Sequence, residues 1–277
     1  MAYHLIEREN PTANNYEATG IASDYVMTEA IRAMIQDPQV DPQLAFEGAV
    51  DNNKTEAIRV MIQDPRVVPR DAFDKAMTNN KPEAVRLLLK FDRVHPVPED
   101  MYEACDHGYS KIVQILLDDR RIDPAEDLSS SIIHAGEANH PDIVRMLLED
   151  GRAHPGSNNN LVIITASERG YVEVVKALLN DQRTDPAVNQ DMPIEKASKN
   201  GHLEVVRALM NDPFKRVNPA ARNNAAYNAA LLNGHEDIAE LLTPDLRTLR
   251  TLPEPIQVGQ YPINGLRHDG SRVGGMG

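Results

Sequence analysis

Residues 197–210 read ASKNGHLEVVRALM, and this stretch decides the fold. Its second half, LEVVRALM (203–210), spaces apolar residues as one face of a short helix does. Segments of the same kind recur along the chain: TEAIRAMI (28–35), TEAIRVMI (55–62), PEAVRLLL (82–89), SKIVQILL (110–117), PDIVRMLL (141–148), VEVVKALL (172–179) and EDIAELLT (236–243). Its first half opens on Ala197, and an alanine stands eight residues before the first apolar position of every segment. These are Ala22, Ala49, Ala76, Ala104, Ala135, Ala166, Ala197 and Ala230, separated by 27, 27, 28, 31, 31, 31 and 33 residues. A period of this length marks a repeat architecture.

The positions within the period have physical reasons. A small side chain at the alanine lets two helices approach closely. Three residues earlier stands a large apolar group in seven units, namely Phe46, Phe73, Met101, Ile132, Ile163, Ile194 and Tyr227, with Thr19 the exception. Together they predict the buried face of a first helix. After it come Gly108, Gly170, Gly201 and Gly234, or Asn53, Asn80 and Asn139, with Val26 in the first unit. Gly and Asn tolerate positive φ after a helix C-terminus, so a tight turn is expected there. The second helix opens on an acid in seven units: Glu29, Glu56, Glu83, Asp142, Glu173, Glu204 and Asp237. That sign suits the helix dipole. A basic residue three positions on (Arg32, Arg59, Arg86, Arg145, Lys176, Arg207) predicts i,i+3 pairs on a solvated outer face.

A proline then recurs at Pro42, Pro69, Pro96, Pro124, Pro155, Pro186 and Pro219, within phrases such as DPRVVP, DRRIDP and DQRTDP. Proline cannot continue a helix, so each unit leaves through an extended connector. From that proline to the next key alanine the chain runs 7, 7 and 8 residues in the early units and 11 in the four later ones.

Composition narrows the function. Lys and Arg number 29 against 42 Asp and Glu, a net charge of −13, which argues against nucleic acid as a partner and is compatible with a basic protein. No apolar run reaches the roughly 18–20 residues of a membrane span. The N-terminal MAYHLIEREN lacks the pattern of a secretory signal. A single cysteine, Cys105, forms no internal disulfide and fits a reducing, cytoplasmic or other intracellular compartment. Phosphate-binding loop, nucleophile-elbow, HExxH and paired CxxC motifs do not occur. Cys105, beside Ala104, reads as a buried thiol. His134, His140 and His154 share one unit without the carboxylate or cysteine pattern that would complete a metal site. No cofactor, metal or catalytic residue is expected.

Helix, Gly turn, helix and extended connector at about 33 residues, as in NGHLEVVRALM and RGYVEVVKALLNDQRTDP, resembles the ankyrin repeat, in particular divergent arrays whose units end in a D-x-R-V-D-P phrase. The resemblance runs from about Tyr16 to Leu242. It implies an all-α, ankyrin-like helix–turn–helix solenoid of about eight repeats, whose N-terminal repeats carry shortened finger loops while the later ones keep projecting fingers. The usual Thr-Pro-Leu-His opening of the first helix is replaced by SSII (130–133), LVII (161–164), MPIE (192–195) and AAYN (225–228), so Asn159, Asn160, Gln190 or Asn223 is expected to cap instead. The family's concave face, made by first helices and fingers, maps onto Asn158, Asn159, Asn160, Thr165, Arg169, Gln190, Lys196, Lys199, Arg222, Asn223 and Asn233.

The organisation expected is a lead-in over 1–15, the array over 16–243 and a C-terminal extension over 244–277. The last holds six of fifteen glycines, and it is read as flexible or as a docking tail with anchors Ile256, Val258, Tyr261, Ile263 and Leu266. Thr243, Glu240 and Pro244 give the last unit a polar end. The function expected is a non-catalytic scaffold or adaptor that binds a protein partner. The alternative is a structural subunit of a large assembly, held partly by its tail.

Overall fold

A computed structural model describes residues 31, 33 and 35–243. Thr19, Ala22, Val26, Arg32, the lead-in and the tail anchors lie outside the described residues. Among those described are seven helix pairs and no strand: α1 (Pro42–Asp51) with α2 (Thr55–Met61), α3 (Pro69–Thr78) with α4 (Pro82–Leu88), α5 (Pro98–Asp106) with α6 (Ser110–Asp119), α7 (Glu126–Glu137) with α8 (Pro141–Asp150), α9 (Ser157–Arg169) with α10 (Val172–Leu179), α11 (Val188–Lys199) with α12 (Leu203–Met210), and α13 (Ala221–Leu232) with α14 (Glu236–Leu241). Ile31 and Ile35 are helical and belong to the end of the preceding unit.

Helices this short are marginal alone, and packing holds them. First helices lie beside first helices, as α7, α9, α11 and α13 do in turn, and second helices follow second helices from α6 through α14. The seven described key alanines are buried, as are Phe46, Phe73, Met101, Ile132, Ile163 and Ile194. Tyr227 is only partly buried. Five prolines do more than stop a helix. Pro42, Pro69, Pro82, Pro98 and Pro141 start one, at the first position, where a missing N–H costs nothing.

The two connector lengths have a structural meaning. In the early units the first helix starts directly after the connector. In the later ones the additional residues wind into a left-handed turn at the head of the first helix: Asn158, Asn159 and Asn160 at φ 48, 58 and 56°, then Asn189, Gln190 and Asp191, then Arg222, Asn223 and Asn224. Asp127 and Ser129 share this conformation in α7. One bond closes each turn: Ser129 N–H to Ala125 O at 3.0 Å, Asn160 to Gly156 at 3.0 Å, Asp191 to Ala187 at 2.9 Å and Asn224 to Ala220 at 3.2 Å. The capping expected of Asn159, Asn160, Gln190 and Asn223 is therefore replaced. They sit inside the turn, and Gly156, Ala187 and Ala220 take the cap position without a side-chain bond. Asn is the residue that bears a left-handed backbone best after Gly, which is why the turn reads NNN.

Candidate partner-binding face

Three sets of contacts tie the layers together, and they decide which polar groups remain for a partner. The first uses the arginine of the connector phrase. Arg183 donates to the carbonyls of Gly151 at 2.8 Å, Ala153 at 3.1 Å and Leu148 at 3.0 Å, all in the preceding unit. Its own Asp181 holds it at 2.6 Å. Arg216 repeats this on Leu179, Asp181 and Thr184 with Asp212 as its anchor, Arg152 on Leu117 and Ile122 with Asp150, and Arg121 on Leu89 and Val94 with Asp119. Arg93 bonds Ile62, Asp64 and Val67, and Arg66 bonds Ile35 and Val40. The last carbonyls of a helix lack intrahelical donors, and these arginines supply them from the next layer. The hydrogen bonds from Arg66, Arg152 and Arg183 hold Asp64, Asp150 and Asp181 below the usual carboxylate range. At Asp212 burial pushes upward, and the bonds from Arg216 outweigh it.

The second set lies at the helix–helix turns. His140, His202 and His235 hydrogen-bond through Nε2 with the carbonyls of Asp106, Glu168 and Lys199, at 3.0, 2.9 and 3.1 Å. Each ring also packs closely against the turn glycine of the unit before. A Cβ on Gly170 would stand 2.6 Å from His202 Nδ1, and one on Gly201 2.6 Å from His235 Cε1. Where the next unit brings Lys81, Tyr109 or Tyr171 to this place, the turn residue is Asn53, Asn80 or Asn139 instead.

The third set runs along the exposed side of the first helices. Lys75 pairs with Asp51 at 2.9 Å, His134 with Asp106 at 2.9 Å and Lys196 with Glu168 at 2.9 Å. The intervening layers bring Glu103, Thr165 and Ala229 to the same place, opposite Thr78, Glu137 and Lys199, and no ion pair forms there among the described residues. Tyr102 stacks on His134 with ring centres 5.2 Å apart, and burial with neighbouring Asp127 pushes its hydroxyl up to about 12.

Against this frame the residues expected to bind a partner divide in two. Asn160 accepts from Asp185 N–H at 2.8 Å, Arg169 donates to Glu137 O at 2.7 Å, Lys196 pairs with Glu168, Arg222 with Glu195, and Asn233 bonds Ala229 O at 2.8 Å. These groups are engaged in holding the fold. Asn158, Asn159, Gln190, Lys199 and Asn223 are exposed, and their side chains have no hydrogen-bond partner among the described residues; Thr165 is half-buried and likewise unpartnered. The three histidines of the fifth unit serve separate ends: His134 faces Asp106, His140 grips the turn, and His154 accepts Gly156 N–H through Nδ1 at 3.1 Å. Burial pushes the Cys105 thiol upward, away from the thiolate a nucleophile needs. On the outer face Glu56–Arg59, Glu83–Arg86, Asp142–Arg145, Glu173–Lys176 and Glu204–Arg207 form exposed i,i+3 pairs.

Sequence reasoning missed the arginine clasps and the glycine–histidine interlock. The signals were present: an Asp-x-Arg in five connectors (64–66, 119–121, 150–152, 181–183 and a lengthened 212–216), and a turn glycine wherever His follows 32 or 34 residues later.

No helix among the described residues is long and apolar enough to cross a membrane. No curated protein matches the chain. Among solved structures it is similar to the crystal structure of EF0377, an ankyrin repeat protein, with 21% identity over 57% of this chain and 94% of that one, at a TM-score of 0.42. The family model for ankyrin repeats (3 copies) matches residues 101–190 and again 163–248, together more than half of the chain. This chain belongs to the ankyrin repeat family.

Proposed function

We propose that the chain is a non-catalytic scaffold that binds a protein partner through the first helices and connector turns of its later units. Ankyrin repeats generally mediate protein–protein interaction. The observation that carries the reading here is the division just described. Layer-to-layer bonding consumes Asn160, Arg169, Lys196 and Arg222, while Asn158, Asn159, Gln190, Lys199 and Asn223 stand exposed without partners on a preorganised frame. A frame ordered before binding loses little entropy when it binds. The net charge of −13 supports a protein partner over nucleic acid, and the lone buried thiol supports a reducing compartment.

The test is affinity capture with the full chain from its native cells, followed by calorimetry with the purified partner. Lys199→Glu combined with Gln190→Ala is expected to weaken binding about tenfold, as loss of one or two interfacial polar contacts does. Arg59→Glu on the outer face is expected to leave it unchanged. Equal binding by both variants would refute this face.

A second reading, a subunit built into a larger assembly, is favoured by the end of the described array. Leu231 is 49% and Leu232 86% exposed, at positions where earlier units carry Ser198 and Lys199. Size-exclusion of the native protein distinguishes the two, since an adaptor elutes free and a subunit elutes in a stoichiometric complex.

A further inference from the structure

We propose that the row formed by Asn158, Asn159, Asn189, Gln190, Arg222 and Asn223 binds a partner polypeptide in extended conformation, through that partner's main chain. The proposal deepens the scaffold reading and rests on it. These six residues occupy the first two positions of the left-handed turn in three successive units, in the same register eight and seven residues before Ala166, Ala197 and Ala230. The third position does the structural work. Asn160 Oδ1 accepts Asp185 N–H at 2.8 Å, and Asp191 Oδ1 accepts Asn218 N–H at 2.7 Å, which pins each turn to the next layer. The first two positions contribute no such bond. Apart from Arg222, which pairs with Glu195, their side chains have no partner among the described residues, and all are exposed.

The chemistry of the row selects the partner. In a chain of net charge −13 it contains no carboxylate, so it is not a counter-surface for a basic protein. A side-chain amide presents one acceptor and one paired donor, the complement of a peptide C=O and N–H. Such groups read main chain and ignore sequence. The spacing agrees. Packed helices stand about 8–10 Å apart, and three residues of extended chain advance about 10 Å. In the extended polyproline-II form three residues make one turn of about 9 Å with the backbone groups unpaired, so an equivalent main-chain group faces each successive unit once every third residue. A helical partner has already used those groups internally.

The test uses the full chain and a displayed library of random linear peptides of about 12 residues, enough to cross three units. The variant N158G/N159G/N189G/Q190G/N223G deletes the amides at positions where Gly adopts the same backbone without strain, so its circular dichroism and melting temperature stay at or above those of the parent. Peptides selected on the parent are expected to bind the variant at least about tenfold more weakly. N-methylation of one selected peptide, residue by residue, is expected to cut affinity at every third position. Failure to enrich any linear peptide, equal binding by the glycine variant, or a methylation profile without a three-residue period overturns the proposal. If the native partner captured by the parent binds the glycine variant equally, the scaffold reading stands and the extended-chain reading falls.

Discussion

Arg216 satisfies three carbonyls of the preceding layer with one guanidinium, and the Asp212 side chain that holds it is only 1% exposed. Removing one member of such a pair leaves a buried charge and unpaired carbonyls together. Arg216→Ala is expected to cost about 3 kcal/mol in urea unfolding. Arg207→Ala, in an exposed pair on the outer face, is expected to leave the midpoint unchanged within error. Asp191 makes the opposite case. Burial raises its pKa above that of a free carboxyl, so the folded state disfavours the charged form. The penalty is absent below the unfolded pKa of 3.8 and complete once pH exceeds the raised folded value. The equivalent position carries Asn160 and Asn224, whose amides offer the same acceptor without charge. Asp191→Asn is therefore expected to raise the melting temperature at pH 7 by about 1–3 °C. A gain that persists at pH 3 would refute this origin.

At the scale of an element, the turn between paired helices shows what sequence displays and what it conceals. Gly170 and Gly234 have the same role in the period, and φ is 78° and 77°. Yet a Cβ on Gly170 meets His202, and one on Gly234 meets nothing within 4 Å. Gly170→Ala is expected to destabilise by about 2–3 kcal/mol and Gly234→Ala by about 1, measured by denaturant titration. The helices, their turns and their buried alanines were legible, because each leaves a residue type at a fixed interval. The clasps were not, because an arginine's acceptors are backbone carbonyls, and any residue type can own a carbonyl. The left-handed turn was misread for a related reason. Asn serves both as a helix cap and as a left-handed residue, and NNN alone does not say which. At the candidate face the side chains of Asn158, Gln190 and Lys199 have no partner among the described residues, whereas Asn160, Arg169 and Lys196 have neighbours that only stacking reveals.

Across the whole molecule, each layer depends on its neighbours, so protection should fall toward an end. Hydrogen exchange is expected to be slowest in α7–α10, which have layers on both sides, and faster in the six-residue α14. Uniform exchange along the array would show a cooperative block instead. Acid acts on the clasps together. Asp64, Asp150, Asp181 and Asp212 all have folded pKa values below 3.8, so their stabilisation is fully present above that value and is lost as pH falls through the lowered ones. Stability should hold flat with respect to these four groups down to about pH 4 and drop steeply below, read from urea midpoints across pH. A decline that sets in well above pH 4 would refute the assignment to these carboxylates.

The arginine clasps and the turn histidines also share a sense. Arg93, Arg121, Arg152, Arg183 and Arg216, with the three turn histidines, all reach toward a segment made earlier in the chain. A nascent polypeptide leaving the ribosome would thus carry the grasping groups on the newest segment and find their docking points already formed. Assembly can proceed like a ratchet, one click per module, in the order of translation.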